Sequence, residues 1–290
     1  MRPGSSGIDA IPRDEQFGFA CGLSAAPVMT RAHRHDDVEL ALALGGGFVM
    51  EHGGRPHLVE EGRCAVFWAS LPHRVASTAE PATAGGVQVA WLTVPLVEVL
   101  AWPSVPGSFT AELLRGTMLT VTAPPNLAAS MATWSTDIGT DPTLTTAARR
   151  EAEACLLRIS GPARRTAEPA KTAPPQPGSR PERLATGMAA WVSTHFREPV
   201  TIADVARSVH VHPSTATAVF RRHLGVSIGE YLAQCRTAEA QRLLIATDGT
   251  TSDIALAAGF GSVSAFYERF VRDVGLAPAA YRRLVRSSLT

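Results

Sequence analysis

Between residues 28 and 94 the chain carries short β-rich runs, VELALAL, FVMEH, CAVFW and VQVAWLTV, separated by Gly and Pro turns. That pattern predicts an antiparallel sandwich or barrel. Residues 126–138 and 144–159 change to helical periodicity, and the second segment, LTTAARREAEACLLRI, places an apolar stripe along one side. Residues 161–181, GPARRTAEPAKTAPPQPGSRP, hold six prolines and almost no large apolar side chains, so they cannot fill a core. Everything after them reads as short helices. The pattern divides the chain into a β-rich domain with helices (1–160), a Pro-rich linker (161–181) and an all-helical domain (182–290), an α+β multidomain architecture.

The helical half repeats itself. In AAGFGSVSAFYERF, residues 257–270, Thr251 is expected to cap a helix that runs to Ala258, Gly259 to end it with positive φ, and a second helix to start near Ser262. Val263, Phe266 and Phe270 recur at inward spacing, leaving Ala265, Glu268, Arg269 and Arg272 on the opposite face. Two helices, a short turn and an exposed polar face describe a helix-turn-helix. A shift of fifty residues brings Phe270, Arg272, Gly275 and Tyr281 onto Phe220, Arg222, Gly225 and Tyr231, and one gap aligns Asp253 with Asp204. In this first copy Thr201 caps IADVARSV and PSTATAVFRRHL forms the second helix, with Ala216 and Phe220 inward and Ser214, Thr217, Ala218 and Arg221 outward. Between the copies Ser227 and Glu230 open a helix to about Ala246 through an S-x-x-E capping box. Twenty residues at about 1.5 Å each span about 30 Å, close to the ~34 Å turn of B-DNA. A plain helical bundle explains either unit alone; it does not explain two in matching order.

Charge sharpens the division. The whole chain has a net charge of +1, but residues 1–160 carry 11 Arg against 16 acidic residues and residues 180–290 carry 13 Arg against 9. The helical half is the basic one, as DNA contact requires. Cys21, Cys64, Cys155 and Cys235 lie far apart with no CxxC pair, and read as reduced, packed thiols. No apolar run is long enough to span a membrane and the N-terminal residues lack a signal-peptide core, so the expected location is cytoplasmic.

The segment IALAAGFGSVSAFYERFVRDVGLAPAAYRR resembles the signature of the AraC/XylS family of bacterial transcription regulators, and the resemblance covers about residues 183–284. It implies a DNA-binding domain of two helix-turn-helix units joined by a long helix, in a homodimer that binds double-stranded DNA, answers to a small-molecule effector and is able to contact RNA polymerase. Base contacts are implied at the positions of Ser214, Thr217, Ala218 and Arg221 in the first unit and Ser264, Ala265 and Glu268 in the second, with Ser262 at the helix start. Arg221, Arg222, Arg269 and Arg272 are expected on phosphates. Several of the base-facing residues are small here, so direct readout by the first unit is expected to be thin. A dimer contact is expected along the apolar stripe of residues 144–159 that includes Leu156 and Leu157.

The β-rich half raises a second chemical question in HRHDDVE, residues 33–39. On a strand His33, His35 and Glu39 point the same way, and GRCAVFWASLPHRV adds His73. The set resembles the cupin pattern HxHxxxE…G…PxxxxH, with Gly46 at the family spacing and Pro72-His73 in a second motif lacking its usual Gly. A cupin-like barrel is therefore expected. Three imidazoles and a carboxylate suit Zn, Fe, Mn or Ni; a metal-free pocket for a polar effector and a structural role stay open beside that reading. Phe67 and Trp68 are expected in the core, His52 and His57 exposed beside a Gly-Gly turn, and two of Asp36, Asp37 and Glu39 in water. No G-x-S-x-G, P-loop or dinucleotide fingerprint is present. The leading function is a ligand-responsive, sequence-specific transcription regulator; the alternative is a cupin metalloenzyme, dioxygenase- or isomerase-like, with a helical oligomerisation domain.

Overall fold

The structure, a computed structural model, describes residues 18–26, 28, 29, 31–79, 86–161 and 179–287. Residues 162–178 of the expected linker lie outside the described residues. The β-rich half contains β1 Ala20–Ala25, β2 Asp37–Leu44, β3 Phe48–His52, β4 Arg55–Val59, β5 Arg63–Trp68, β6 His73–Thr78, β7 Gln88–Pro95 and β8 Leu119–Thr122. Its helices are α1 Leu96–Ala101, α2 Gly107–Leu114, α3 Leu127–Asp137 and α4 Pro142–Ser160.

The strands pair antiparallel in two sheets, one ordered β1-β7-β2-β5-β8 and the other β4-β3-β6. A closed cupin-like barrel is thus not what these ladders form. Gly45 and Gly46, at φ 66° and 143°, turn the chain from the first sheet to the second, and among the described residues no ladder joins the outer strands of one sheet to those of the other. Strand alternation fills both sides of the large sheet. Ala41, Ala43, Ala65 and Phe67 face Phe48, Met50 and Val75 of the small sheet, while Val38, Leu40, Leu42, Val66 and Trp68 face the helices. Phe67 and Trp68 are core residues as the sequence suggests, at 0% and 1% exposure.

The helical half contains α5 Arg180–His195, α6 Ile202–Ser208, α7 Pro213–Leu224, α8 Ile228–Ala246, α9 Thr251–Ala257, α10 Val263–Val274 and α11 Pro278–Ser287. Its two helix-turn-helix units are cored differently. Val205, Ala216, Phe220, Leu224 and Tyr231 form a cluster of their own around α5–α7. Phe266, Phe270, Tyr281 and Val285 of the second unit instead belong to the same apolar cluster as Leu96, Val99, Met131 and Trp134 of the β-rich half. The second unit and the first domain share one core. Among the described residues, no helix is long and apolar enough to cross a membrane.

The stripe on α4 is used inside the chain. Ala148, Ala152, Cys155, Leu156 and Ile159 are buried, leaving Leu144 and Leu157 exposed. Leu156 is therefore unavailable for the dimer contact expected from the sequence. Leu156→Asp should lower unfolding free energy by about 4 kcal/mol or more, because it buries an unpaired carboxylate, whereas Leu157→Asp should change it by less than about 1 kcal/mol. Urea denaturation of the two variants checks this; equal stability would place Leu156 at the surface.

Candidate nucleic-acid interface and the histidine cluster behind it

Both helix-turn-helix units open on the same device. Thr201 and Thr250 each accept the backbone N–H three residues on, at 3.2 Å, while Asp204 and Asp253 accept the cap residue's own N–H at 3.0 and 3.1 Å. The second cap is Thr250, one residue before the expected Thr251, because Asp253 sits three residues after it. Gly259 takes the left-handed turn at φ 87°, and a Cβ there would lie 2.6 Å from the carbonyl oxygen of Phe196. At the matching place in the first unit stands His210, a non-glycine residue at φ 55°. α7 and α10 both end on a left-handed glycine, Gly225 and Gly275. Between the units α8 runs 19 residues, about 28 Å at about 1.5 Å per residue. Ser227 caps it by accepting from Glu230 N–H at 3.1 Å, but the Glu230 carboxylate turns to Arg269 rather than back to Ser227.

The outward faces hold nearly all the expected DNA-facing residues. Ser214, Thr217, Ala218, Arg221 and Arg222 are exposed on α7, and Ser264, Ala265, Glu268 and Arg272 on α10. Ser262, exposed at the helix start, caps α10 by accepting from Ala265 N–H at 3.1 Å. Arg269 departs from expectation. It is 7% exposed, it donates to both oxygens of Glu230 at 2.8 and 2.6 Å and to Asp273 Oδ2 at 2.6 Å, so its guanidinium holds α10 to α8 rather than facing a phosphate.

Behind these helices lie the histidines. His33 and His73 exchange backbone hydrogen bonds at 3.0 and 2.9 Å, which sets their rings 4.2 Å apart between centroids. His33 and His35 precede β2 rather than lying in it, yet one ligand atom from each of His33, His35, Glu39 and His73 falls within 4.8 Å of the others. His35 Nε2 and His73 Nε2 both approach Glu39 Oε2, at 3.2 and 3.3 Å. The other ring nitrogen of each is already oriented: His35 Nδ1 lies 2.9 Å from Asp37 Oδ2, and His73 Nδ1 lies 3.0 Å from the carbonyl oxygen of Leu71. With a proton on each Nδ1, a neutral ring would turn its Nε2 lone pair on a carboxylate. A cation has to stand between them, either extra protons or a metal ion.

The cluster's electrostatics say the same. Burial opposes charge on His35, but hydrogen bonds to Asp37 and Glu39 outweigh it and lift the ring to about 9. Burial likewise opposes charge on Glu39, and hydrogen bonds with His35 and His73 nevertheless hold the carboxyl far below its usual range. Burial and the neighbouring His73 push His33 well below the ordinary imidazole value. His52, expected at the surface, is 3% exposed, and burial lowers its ring to about 3; His57 is half-buried and falls to about 4. The acidic residues are not in water either: Asp37 is 2% exposed, and Asp36 accepts Trp68 Nε1–H at 3.0 Å.

The residues between the histidines face the other half of the chain. Arg34, 9% exposed, donates to Gln241 Oε1 on α8 at 2.9 Å and to Asp273 Oδ2 on α10 at 3.3 Å. Asp36 Oδ1 accepts from the Tyr281 hydroxyl of α11 at 3.4 Å. Ala32 N–H donates to Leu224 O at the end of α7 at 3.4 Å, and Arg74, paired with Glu51 at 2.6 Å, donates to His223 O at 3.1 Å. His223 and Asp273 are the same position in the two repeats. One short segment beside the histidine cluster therefore touches the C-terminal end of both outward-facing helices.

Two capped helix-turn-helix units, presented in tandem on an intervening helix with their polar faces outward, define a DNA-binding domain. Residues 205–284 match the family described as helix-turn-helix domain. The melibiose operon regulatory protein of Escherichia coli (strain K12) is 25% identical over 266 residues, covering 90% of this chain and 86% of that protein. The lactose operon transcription activator of Staphylococcus xylosus is 32% identical over 92 residues, 32% of this chain and 33% of that one. The crystal structure of the DNA-binding domain of AdpA, in complex with a target DNA, aligns with a TM-score of 0.34 at 30% identity, covering 36% of this chain and 93% of that one. The chain is a DNA-binding transcriptional regulator whose residues 205–284 form a helix-turn-helix domain.

Glu268→Ala should relax preference at one or a few base pairs by about 1–3 kcal/mol, whereas Arg272→Ala should weaken every sequence alike and reduce the salt slope by about 1. Anisotropy titrations on duplexes selected from a random pool, at several salt concentrations, distinguish the two. An unchanged ranking of duplexes for Glu268→Ala would remove that residue from base reading.

Proposed function

We propose that the chain is a ligand-responsive regulator whose two-sheet domain is a cupin-like sensor, with His33, His35, Glu39 and His73 holding a divalent metal ion of the Zn, Fe, Mn or Ni kind. The observation that supports this most is the approach of two imidazole Nε2 atoms to one Glu39 oxygen while the Nδ1 atom of each ring is oriented by Asp37 or by Leu71 O. That is the usual dress of a metal-bound imidazole, in which a carboxylate or carbonyl fixes the tautomer and aims the other nitrogen. When bound, the ion supplies positive charge and open coordination positions for an oxygen-bearing effector.

The same segment provides the route to DNA. Ala32, Arg34 and Asp36 grip the helical half from positions alternating with His33 and His35, so moving the histidines moves the contacts on Leu224, Asp273 and Tyr281. A ligand with different affinity for two arrangements of this segment shifts the population of domain arrangements, and with it the placement of the two outward-facing helices. Arg34 and Asp36 transmit; they do not ligate.

Elemental analysis of protein purified without chelator should find near one equivalent of transition metal in the wild type and little in His33→Ala/His35→Ala at equal folded fraction. None in either overturns the metal assignment. In Arg34→Ala, metal content should persist, while the DNA affinity of the chain should stop responding to removal and return of the metal. If Arg34→Ala responds like the wild type, the segment is not the route.

A further inference from the structure

A cavity of about 690 Å³ opens between the two halves of the chain, beside the histidine cluster, with Leu71 and His52 of its wall in contact with His73. Its walls come from both sides: the β3–β4 hairpin, the end of β5 and the α2–β8 connection on one, α5 and α8 on the other. The volume is in the range that encloses a small organic ligand. None of His33, His35, Glu39 or His73 lines it.

Its chemistry is that of an anion site with apolar walls. Four arginines line it against one acidic residue, Glu239. Glu239 is already committed to two of them, accepting from Arg197 at 2.9 Å and from Arg242 at 2.7 and 2.8 Å. The other two, Arg55 and Arg115, are exposed and form no ion pair among the described residues. Leu71, Leu114, Leu119 and Ala190 supply apolar surface. Two buried polar atoms of lining residues, Nδ1 of His57 and Oγ1 of Thr120, have no hydrogen-bond partner among the described residues, where buried polar groups are ordinarily satisfied. Burial keeps the His52 and His57 rings neutral at ordinary pH, so the surplus charge rests on the arginines.

We propose that this cavity is a second effector site, taking a small organic anion with an apolar body, the anionic group drawn to the exposed Arg55 and Arg115 and the body lodged between the two halves. Arginine suits such a ligand because its planar fork binds a carboxylate or sulfonate in two places and its face lies flat on aromatic rings. Since α5 and α8 form one wall and the β-rich half the other, an occupant binds only while the halves are packed together. It stabilises that arrangement over any in which they part, and so acts on DNA binding through the same packing of the halves that the histidine segment biases.

The test uses the full chain and a fluorescent aromatic sulfonate, 1-anilinonaphthalene-8-sulfonate, beside its uncharged relative N-phenyl-1-naphthylamine. The wild type should bind the sulfonate at one equivalent, and about tenfold more tightly than the neutral compound. Arg115→Glu should weaken the sulfonate by about tenfold or more, as should Thr117→Trp, which adds bulk to an exposed lining residue without disturbing the core. His33→Ala/His35→Ala should still bind the sulfonate at one equivalent, which separates this site from the metal assignment. No stoichiometric binding, equal affinity for the two compounds, or equal affinity in Arg115→Glu and Thr117→Trp overturns the proposal.

Discussion

A guanidinium buried between two domains is costly unless acceptors meet it, and the side-chain acceptors of Arg34 come from the other half of the chain. Its acceptors, Gln241 and Asp273, belong to α8 and α10, while its own segment runs between the histidines and β2. Taking that charge from water without them would leave it uncompensated, so burial of the Arg34 side chain is favourable only while the two halves are packed. Asp273 is also committed to Arg269 and to the Thr237 hydroxyl, which makes it the meeting point of the first domain, the long helix and the second unit. The rest of the interface is arranged around this contact. Thr186 reaches Glu51 at 2.8 Å, Gly54 lies so close to Ala189 and Ala190 that a Cβ would not fit, and Arg31 packs on Gly225.

Much of the helical half was legible in the sequence because its determinants are local. Threonine caps, left-handed glycines and inward Phe residues are set by spacing within a dozen residues, and the repeat states each of them twice. Arg269 shows where such reading stops. Its helical phase points it outward, but Glu230, 39 residues away, draws it inward, and nothing in the local pattern announces that partner. A like difficulty hid α1 and α2, whose apolar residues sit in short stretches without clear periodicity, and the burial of Leu156, since a stripe looks the same whether it covers its own core or a second copy.

The histidine cluster was legible in composition but not in construction. The spacing HxHxxxE put three ligand residues on one side, and the structure does gather them, though with His33 and His35 ahead of the strand rather than on it. His73 joins by a backbone bridge to His33 that no motif encodes. The intervening Arg34 and Asp36 read, in sequence, as the solvent side of a strand. They are instead the side facing the other domain, and only the packed pair of halves reveals it.

The unequal division of the apolar cores has a bearing on how regulators built this way diverge. The first unit closes around its own Phe220, Leu224 and Tyr231 and meets the β-rich half at the carbonyls of His223 and Leu224. The second draws its core from the same cluster as Leu96, Val99 and Trp134, and a change there is felt in the β-rich half as well. The exposed Ser264, Ala265 and Glu268 lie outside that shared core, so what α10 presents outward can change while its inward face stays bound to the first domain.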